Sequence, residues 1–235
     1  PTRRSSDLAN IPSHNCINAN AHALARYAAL AQENGIVPIV EPEVLMDGDH
    51  TIERCEQVTT WILKETFQQL FYARVELEGI ILKPNMIVPG KKCAKQNSVD
   101  EVARATVKVL KDCVPGAVPG IAFLSGGQSD EEATAHLSAM NALGGLPWPL
   151  TFSYGRALQA APQKAWSGKV ENLSAGQKAF AHRALMNSLA AIGNETGRFL
   201  LAASTSVQEA LDSYDDRNGV FAVAVREGLR GRAAM

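Results

Sequence analysis

Residues 77–86 read Leu77-Glu78-Gly79-Ile80-Ile81-Leu82-Lys83-Pro84-Asn85-Met86. A short apolar run bounded by Gly79 and Pro84 reads as a strand buried on both faces. A lysine closes the run, and lysine is rarely buried unless it is paired or in use. Proline donates nothing to a β-ladder, so pairing is expected to stop just after Lys83. That places Lys83 at the rim of a sheet, pointing into whatever the sheet encloses. The plain alternative is an ordinary lysine that runs its stem along the apolar surface and leaves its ammonium in water.

The pattern around this run repeats. Upstream, Leu24, Tyr27, Ala28 and Ala31 recur at helical spacing from about Asn18, and Gly35 stands where a helix cap belongs. Ile36-Val37-Pro38-Ile39-Val40 then reads as a buried strand ending in Glu41-Pro42-Glu43. After the loop Asp47-Gly48-Asp49-His50, an amphipathic helix carries Ile52, Cys55, Val58, Ile62, Phe67 and Leu70 on its apolar side. Downstream of Lys83, Ser98 with Glu101 makes a capping box that opens a helix through Val102, Thr106, Val109 and Leu110. A Pro/Gly linker at 115–120 precedes the strand Ile121-Ala122-Phe123-Leu124, which ends in Ser125-Gly126-Gly127. Ser129 with Glu132 caps the next helix. Leu150-Thr151-Phe152-Ser153-Tyr154 is a fourth strand, ending at Gly155-Arg156, and Ser174 with Gln177 opens a last helix to about Ile192.

Strands thus alternate with helices, and polar residues gather at the strand ends, with Glu41, Lys83 and Ser125 evenly spaced. Alternating βα units imply a parallel sheet with helices outside it. The fold class is α/β, and the architecture is either a barrel or a doubly wound sheet. The doubly wound sheet usually carries a G-x-G-x-x-G fingerprint after its first strand, and none is present.

The composition sets outer limits. The chain has 235 residues, 46% hydrophobic and 20% charged, with a formal net charge of -1. That balance gives no reason to expect binding to nucleic acid or a membrane surface. No apolar run approaches the length that spans a bilayer, and the N-terminus lacks the apolar stretch of a signal peptide, so the cytoplasm is the expected location. Cys16, Cys55, Cys93 and Cys113 are isolated and read as reduced structural thiols.

In parallel barrels the chemistry lies at the C-terminal rim of the strands, with phosphate held by the loops after strands seven and eight. Ser125-Gly126-Gly127 suits an anion, because glycines let backbone N–H groups approach it closely. Arg156 offers a bidentate cationic partner. A lysine that attacks a carbonyl must first lose its proton, and imine formation needs a proton shuttle to expel water, a task suited to a carboxylate. Glu41 and Glu43 both qualify by alternation. The counter-reading is a Lys–Glu pair that merely satisfies a buried charge. Residues 47–50 read as a structural turn rather than a metal loop, since no full ligand spacing follows. His14, His22, His136 and His182 are scattered over loops and helices and give a metal little support. Lys91-Lys92 reads as a solvated loop.

The stretches IVPIVEPE, LEGIILKPNM, FLSGGQS and LTFSYGRALQ closely resemble class I fructose-bisphosphate aldolases, in the same order and at compatible distances, over roughly residues 11–192. The resemblance implies a (β/α)8 TIM barrel, of which the chain carries about strands five to eight with their helices. It implies reversible cleavage of fructose 1,6-bisphosphate to dihydroxyacetone phosphate and glyceraldehyde 3-phosphate, a lyase reaction of glycolysis and gluconeogenesis. It also implies a lysine imine, no metal or other cofactor, and a homotetramer for the full-length protein. By position, Lys83 resembles the Schiff-base lysine and Glu41 the acid/base residue, which selects Glu41 over Glu43. Ser125, Gly126 and Gly127 resemble one phosphate loop. Ser153, Gly155 and Arg156 resemble the sugar-phosphate contacts after the last strand.

Residues 1–10 match no motif and are expected to be a foreign leader. Residues 11–192 are expected to form the C-terminal half of the barrel, and 193–235 a divergent or disordered tail in which Tyr214 takes no catalytic role. The chain by itself is therefore expected to be incomplete and inactive. The competing expectation is a non-catalytic phosphate-binding or assembly fragment.

Overall fold

The computed structural model describes residues 11–191, so the expected leader at 1–10 and tail at 193–235 lie outside the described residues. The chain runs α1 (His14–Glu33), β1 (Ile39–Val40), α2 (Ile52–Tyr72), β2 (Ile81–Leu82), α3 (Val99–Cys113), β3 (Ile121–Phe123), α4 (Asp130–Ala142), β4 (Leu150–Phe152), α5 (Arg156–Trp166) and α6 (Leu173–Ala191). The four strands are parallel and lie side by side in chain order, β1-β2-β3-β4. A doubly wound sheet reverses its strand order at a switch point, whereas a barrel wall advances steadily in one direction. The order found is that of a barrel wall.

Register fixes which side chains share a face. Val40, Leu82, Ile121 and Leu150 align across the four strands and are all buried, together with Phe123. They meet a core that also takes in Leu63 and Leu70 of α2, Val102 and Leu110 of α3, and Leu137 and Met140 of α4. The opposite face is not covered in the same way. Ile39 keeps 38% of its surface exposed, and Ile81, its registered partner, is half-buried.

This corrects the expectation that the Lys83 strand is buried on both faces. The strands are also shorter than expected. Leu77–Gly79 is a turn of 3-10 helix, and the ladder to β1 begins only where Ile81 N–H donates to the Pro38 carbonyl at 3.0 Å. Ile36 and Val37 precede that point and stand exposed.

The helices begin where local chemistry starts them. Ser13, Thr51, Ser98 and Ser129 each accept a backbone N–H at a helix N-terminus, and both expected capping boxes form, Ser98 with Glu101 and Ser129 with Glu132. The buried stripe of α1 is Ile17, Ala21, Ala25 and Ala28, and Tyr27 turns to solvent, against expectation. Small residues on that stripe let α1 lie close to α2, a packing role that no large side chain announces. Helix α5 has no counterpart among the expected elements, and it accommodates Pro162 inside it.

One buried hydroxyl joins α3 to the chain beyond β2. Thr106 Oγ1 donates to the Val102 carbonyl at 2.7 Å and accepts Ile87 N–H at 2.9 Å. Valine has nearly the same shape but cannot accept that N–H. Thr106→Val is therefore expected to lower unfolding free energy by about 1–3 kcal/mol, read from the urea midpoint. A midpoint equal to that of the parent chain would show that Ile87 finds another acceptor.

Candidate functional site

The rim is built by the ladder. Lys83 N–H donates to the Val40 carbonyl at 2.8 Å, carrying the β1–β2 pairing one residue past both strands. Glu41, one residue beyond Val40, is thereby brought level with Lys83. Its Oε1 lies 2.8 Å from Lys83 Nζ, with the two side chains 40% and 18% exposed. The ammonium is thus largely withdrawn from bulk water, while the carboxylate stays accessible. Of the two glutamates left open by spacing, Glu41 takes this ion pair. Pro84 does not end the contact with the neighbouring strand, since its carbonyl accepts Leu124 N–H at 3.4 Å.

A buried amide holds the pair in place. Asn85, two residues after Lys83, accepts Val44 N–H at 2.9 Å through Oδ1. Its Nδ2 donates to Thr59 Oγ1 at 3.1 Å and to the Met86 carbonyl at 3.0 Å. The turn after Glu41, the strand after Lys83 and helix α2 therefore meet at one side chain. Sequence reasoning passed over Asn85, although a lone amide entering the buried run Met86, Ile87 and Val88 was a signal.

At the end of β3, Gly126 and Gly127 adopt φ +59° and +89°, where a side chain is strained. The turn is pinned from behind. Gln128 donates its backbone N–H to the Ser125 carbonyl at 3.0 Å and its Nε2 to the same oxygen at 2.9 Å. Gln128 Oε1 lies 2.6 Å from Nδ1 of the buried His136 on α4. Among the described residues no protein acceptor takes the N–H of Gly126 or Gly127. Those two donors are left for something outside the fold.

Ser153 N–H donates to the Phe123 carbonyl at 2.8 Å, so Ser153 follows β4 at the same rim. Gly155 precedes α5 and its carbonyl accepts from Leu158 and Gln159, which leaves Arg156 as the first residue of that helix. Tyr154 between them is buried and donates to the Ala133 carbonyl at 3.1 Å, and burial pushes its phenol well above the usual range. All the sequence-predicted site residues thus fall at the C-terminal ends of four adjacent strands.

The loop 47–50 is a scaffold, as expected. Gly90, Lys91 and Lys92 donate their N–H groups to the carbonyls of His50, Met46 and Gly48, each at 2.8 Å. A Cβ on Gly90 would lie 2.5 Å from the Gly48 carbonyl oxygen, so the two loops interlock where only glycine fits. Glu41 also borders a cavity of about 1300 Å³ between α1, α2 and this loop, whose lining includes Tyr27, Glu43 and Arg54 but not Lys83. Among the described residues no group of three or more His, Cys, Asp or Glu could hold a metal ion, and no helix is long and apolar enough to cross a membrane. The four cysteines are unpaired thiols.

A family model described as fructose-bisphosphate aldolase class-I matches residues 5–214. A protein named "Probable fructose-bisphosphate aldolase class 1" from Xanthomonas campestris pv. campestris is 57% identical over 189 residues, 80% of this chain and 57% of its own length. The Arabidopsis thaliana protein named "Fructose-bisphosphate aldolase 4, cytosolic" is 51% identical over 206 residues, 87% of this chain and 52% of its own. Among solved structures, fructose-bisphosphate aldolase from Plasmodium falciparum, in complex with TRAP and a small molecule inhibitor, superposes with a TM-score of 0.76 at 49% identity. It covers 77% of this chain and 52% of that one. The chain spans about half the length of the curated relatives it matches.

The histidine behind the glycine turn gives a pH test. Burial lowers the pKa of His136 below 6.5, against the opposing pull of Glu132, and burial lowers that of His50 as well. Below 6.5 the unfolded chain binds a proton that the native imidazoles refuse. Their contribution is therefore complete above 6.5 and is lost as pH falls through the window beneath it. Glu132, held below 4.5 by the Ser129 backbone N–H, loses its contribution only at more acid pH. The urea midpoint is expected to fall between about pH 7.5 and about pH 5.5, and His136→Asn is expected to flatten that slope. Parallel slopes for the two proteins would remove His136 as the cause.

Proposed function

The chain belongs to the class-I fructose-bisphosphate aldolase family, and on that footing we propose that the protein reversibly cleaves fructose 1,6-bisphosphate through an imine on Lys83. The observation that carries this reading is the 2.8 Å contact between Lys83 Nζ and Glu41 Oε1. An amine needs a free electron pair to attack a ketone, and the contact gives the ammonium proton a place to go. Transfer to Glu41 leaves a neutral amine and a carboxylic acid. The amine adds to the C2 carbonyl of the ketose, forming a carbinolamine. Glu41 then returns its proton to the departing hydroxyl, which leaves as water, and the C2–N bond becomes a protonated imine.

The imine withdraws electrons from C3. When the C3–C4 bond breaks, its electron pair moves toward nitrogen as an enamine, and the C4 hydroxyl gives its proton to the Glu41 carboxylate as C4 becomes the aldehyde of glyceraldehyde 3-phosphate. Protonation at C3 and hydrolysis of the imine release dihydroxyacetone phosphate and restore Lys83. The glycine turn Ser125, Gly126 and Gly127, with Ser153, Gly155 and Arg156 on the adjoining strand end, holds phosphate so that the ketone meets the amine. The location we propose is the cytoplasm.

One observation favours a second reading. Four strands are about half of the eight that close a barrel, and the face opposite the helices is open at Ile39. On that reading the chain alone holds phosphate without turnover.

Incubation with dihydroxyacetone phosphate and borohydride separates the two. The expected result is a mass increase that maps to Lys83 and is lost in Lys83→Ala. Glu41→Gln is expected to slow adduct formation by about 100-fold or more, the usual scale of a positioned acid/base. Phosphate binding with no adduct on Lys83 would favour the second reading.

A further inference from the structure

The sequence places Lys91 in a loop after β2, with no motif to give it a task. The structure carries it to the next strand end. A Cβ built on Gly127 would lie 2.7 Å from Nζ of Lys91 and 3.3 Å from its Cε, so the lysine tip rests against the bare Cα of the glycine turn. Its backbone is fixed there, since Lys91 N–H donates to Met46 and its neighbours Gly90 and Lys92 donate to His50 and Gly48. Met46 Sδ, at 3.7 Å from the same point, flanks the stem.

Among the described residues no carboxylate pairs with the Lys91 ammonium. The other paired lysines and arginines of the fold each reach an acid, as Lys83 reaches Glu41 and Arg183 reaches Asp130. Lys91 is exposed to solvent, and beside it the N–H groups of Gly126 and Gly127 have no protein acceptor among the described residues. The turn thus offers two unpaired N–H donors next to an ammonium that no carboxylate among the described residues pairs. Such an arrangement has a deficit of negative charge, and an oxyanion is the ligand that fills it.

We propose that Lys91 is a specificity-determining residue that contacts the phosphate group of the substrate at the 125–127 turn and favours phosphorylated over unphosphorylated ketoses. The inference rests on reading that turn as a phosphate site. Unlike the backbone donors, which accept any small anion of suitable shape, an ammonium on a flexible stem can follow the doubly charged phosphate as the ketone end moves. Gly127, at φ +89°, brings a bare Cα beside the ammonium, and a side chain there would push the flexible lysine tip aside.

The test uses the full 235-residue chain with Lys91→Gln and Lys91→Arg beside it, and inorganic phosphate as the first probe. Calorimetric titration is expected to show phosphate binding by the parent chain, weaker by about fivefold in Lys91→Gln and restored to within about twofold in Lys91→Arg. In borohydride trapping, the preference for dihydroxyacetone phosphate over dihydroxyacetone is expected to fall by a similar factor in Lys91→Gln. Equal phosphate affinity of the parent and Lys91→Gln overturns the inference, as does a parent chain that binds no phosphate. The two readings fail separately. Lys91-dependent phosphate binding without an adduct on Lys83 sinks the imine and leaves Lys91 in place. An adduct that forms with unchanged preference in Lys91→Gln sinks Lys91 and leaves the imine.

Discussion

An ammonium and a carboxylate from different strands meet at 2.8 Å only if the strands are held in one register. Here the register is set by a few backbone bonds, Ile81 to Pro38 and Lys83 to Val40, and by the buried row of Val40, Leu82, Ile121 and Leu150 beneath them. A slip of one residue would turn that row out of the core and carry Lys83 to the wrong face, so hydrophobic burial enforces the position of a polar pair. Asn85 adds the last constraint, tying the turn after Glu41 to the strand that bears Lys83. The site is in this sense a by-product of the core.

The same logic extends along the rim. Each strand is short, and the chain leaves the ladder within a residue or two of its last bond, so polar side chains and bare N–H groups cluster in a narrow band. The turn at 125–127 is stiffened from behind by Gln128, which is itself held by His136 from α4. Backing of this kind holds the turn and its two unpaired donors in one shape. The chain thus separates its residue types, with apolar side chains on the helices and one sheet face and polar groups at the strand ends.

What the sequence made legible was mostly local. Both capping boxes lie within four residues of chain and were readable from residue types alone, as were the starts of the Ile121 and Leu150 strands. Glu41, Lys83, Ser125 and Gly155 were visible because each ends an apolar run with a residue that such runs seldom contain. Other features depend on what lies across space. The open face of the sheet could not be read from Ile39 or Ile81, whose types suit burial. Asn85 draws its role from Val44 and Thr59, far away in the chain, and Lys91, exposed as its loop suggested, meets Gly127 only because the next strand end comes beside it. On α1 the buried stripe takes Ala28 as read but turns to Ile17, Ala21 and Ala25 rather than to the larger Tyr27, because close packing against a neighbouring helix favours small residues.

The interlock of Gly90 with the Gly48 carbonyl carries a consequence for how such a rim can change over time. Two loops joined by three backbone bonds and a contact that excludes even a methyl group cannot be lengthened one at a time, because an insertion in either would unseat both. Evolutionary variation at this corner is therefore confined to the side chains that project from a frozen frame. Lys91 is one of them, and a single codon there changes the charge beside the glycine turn while the architecture stays untouched.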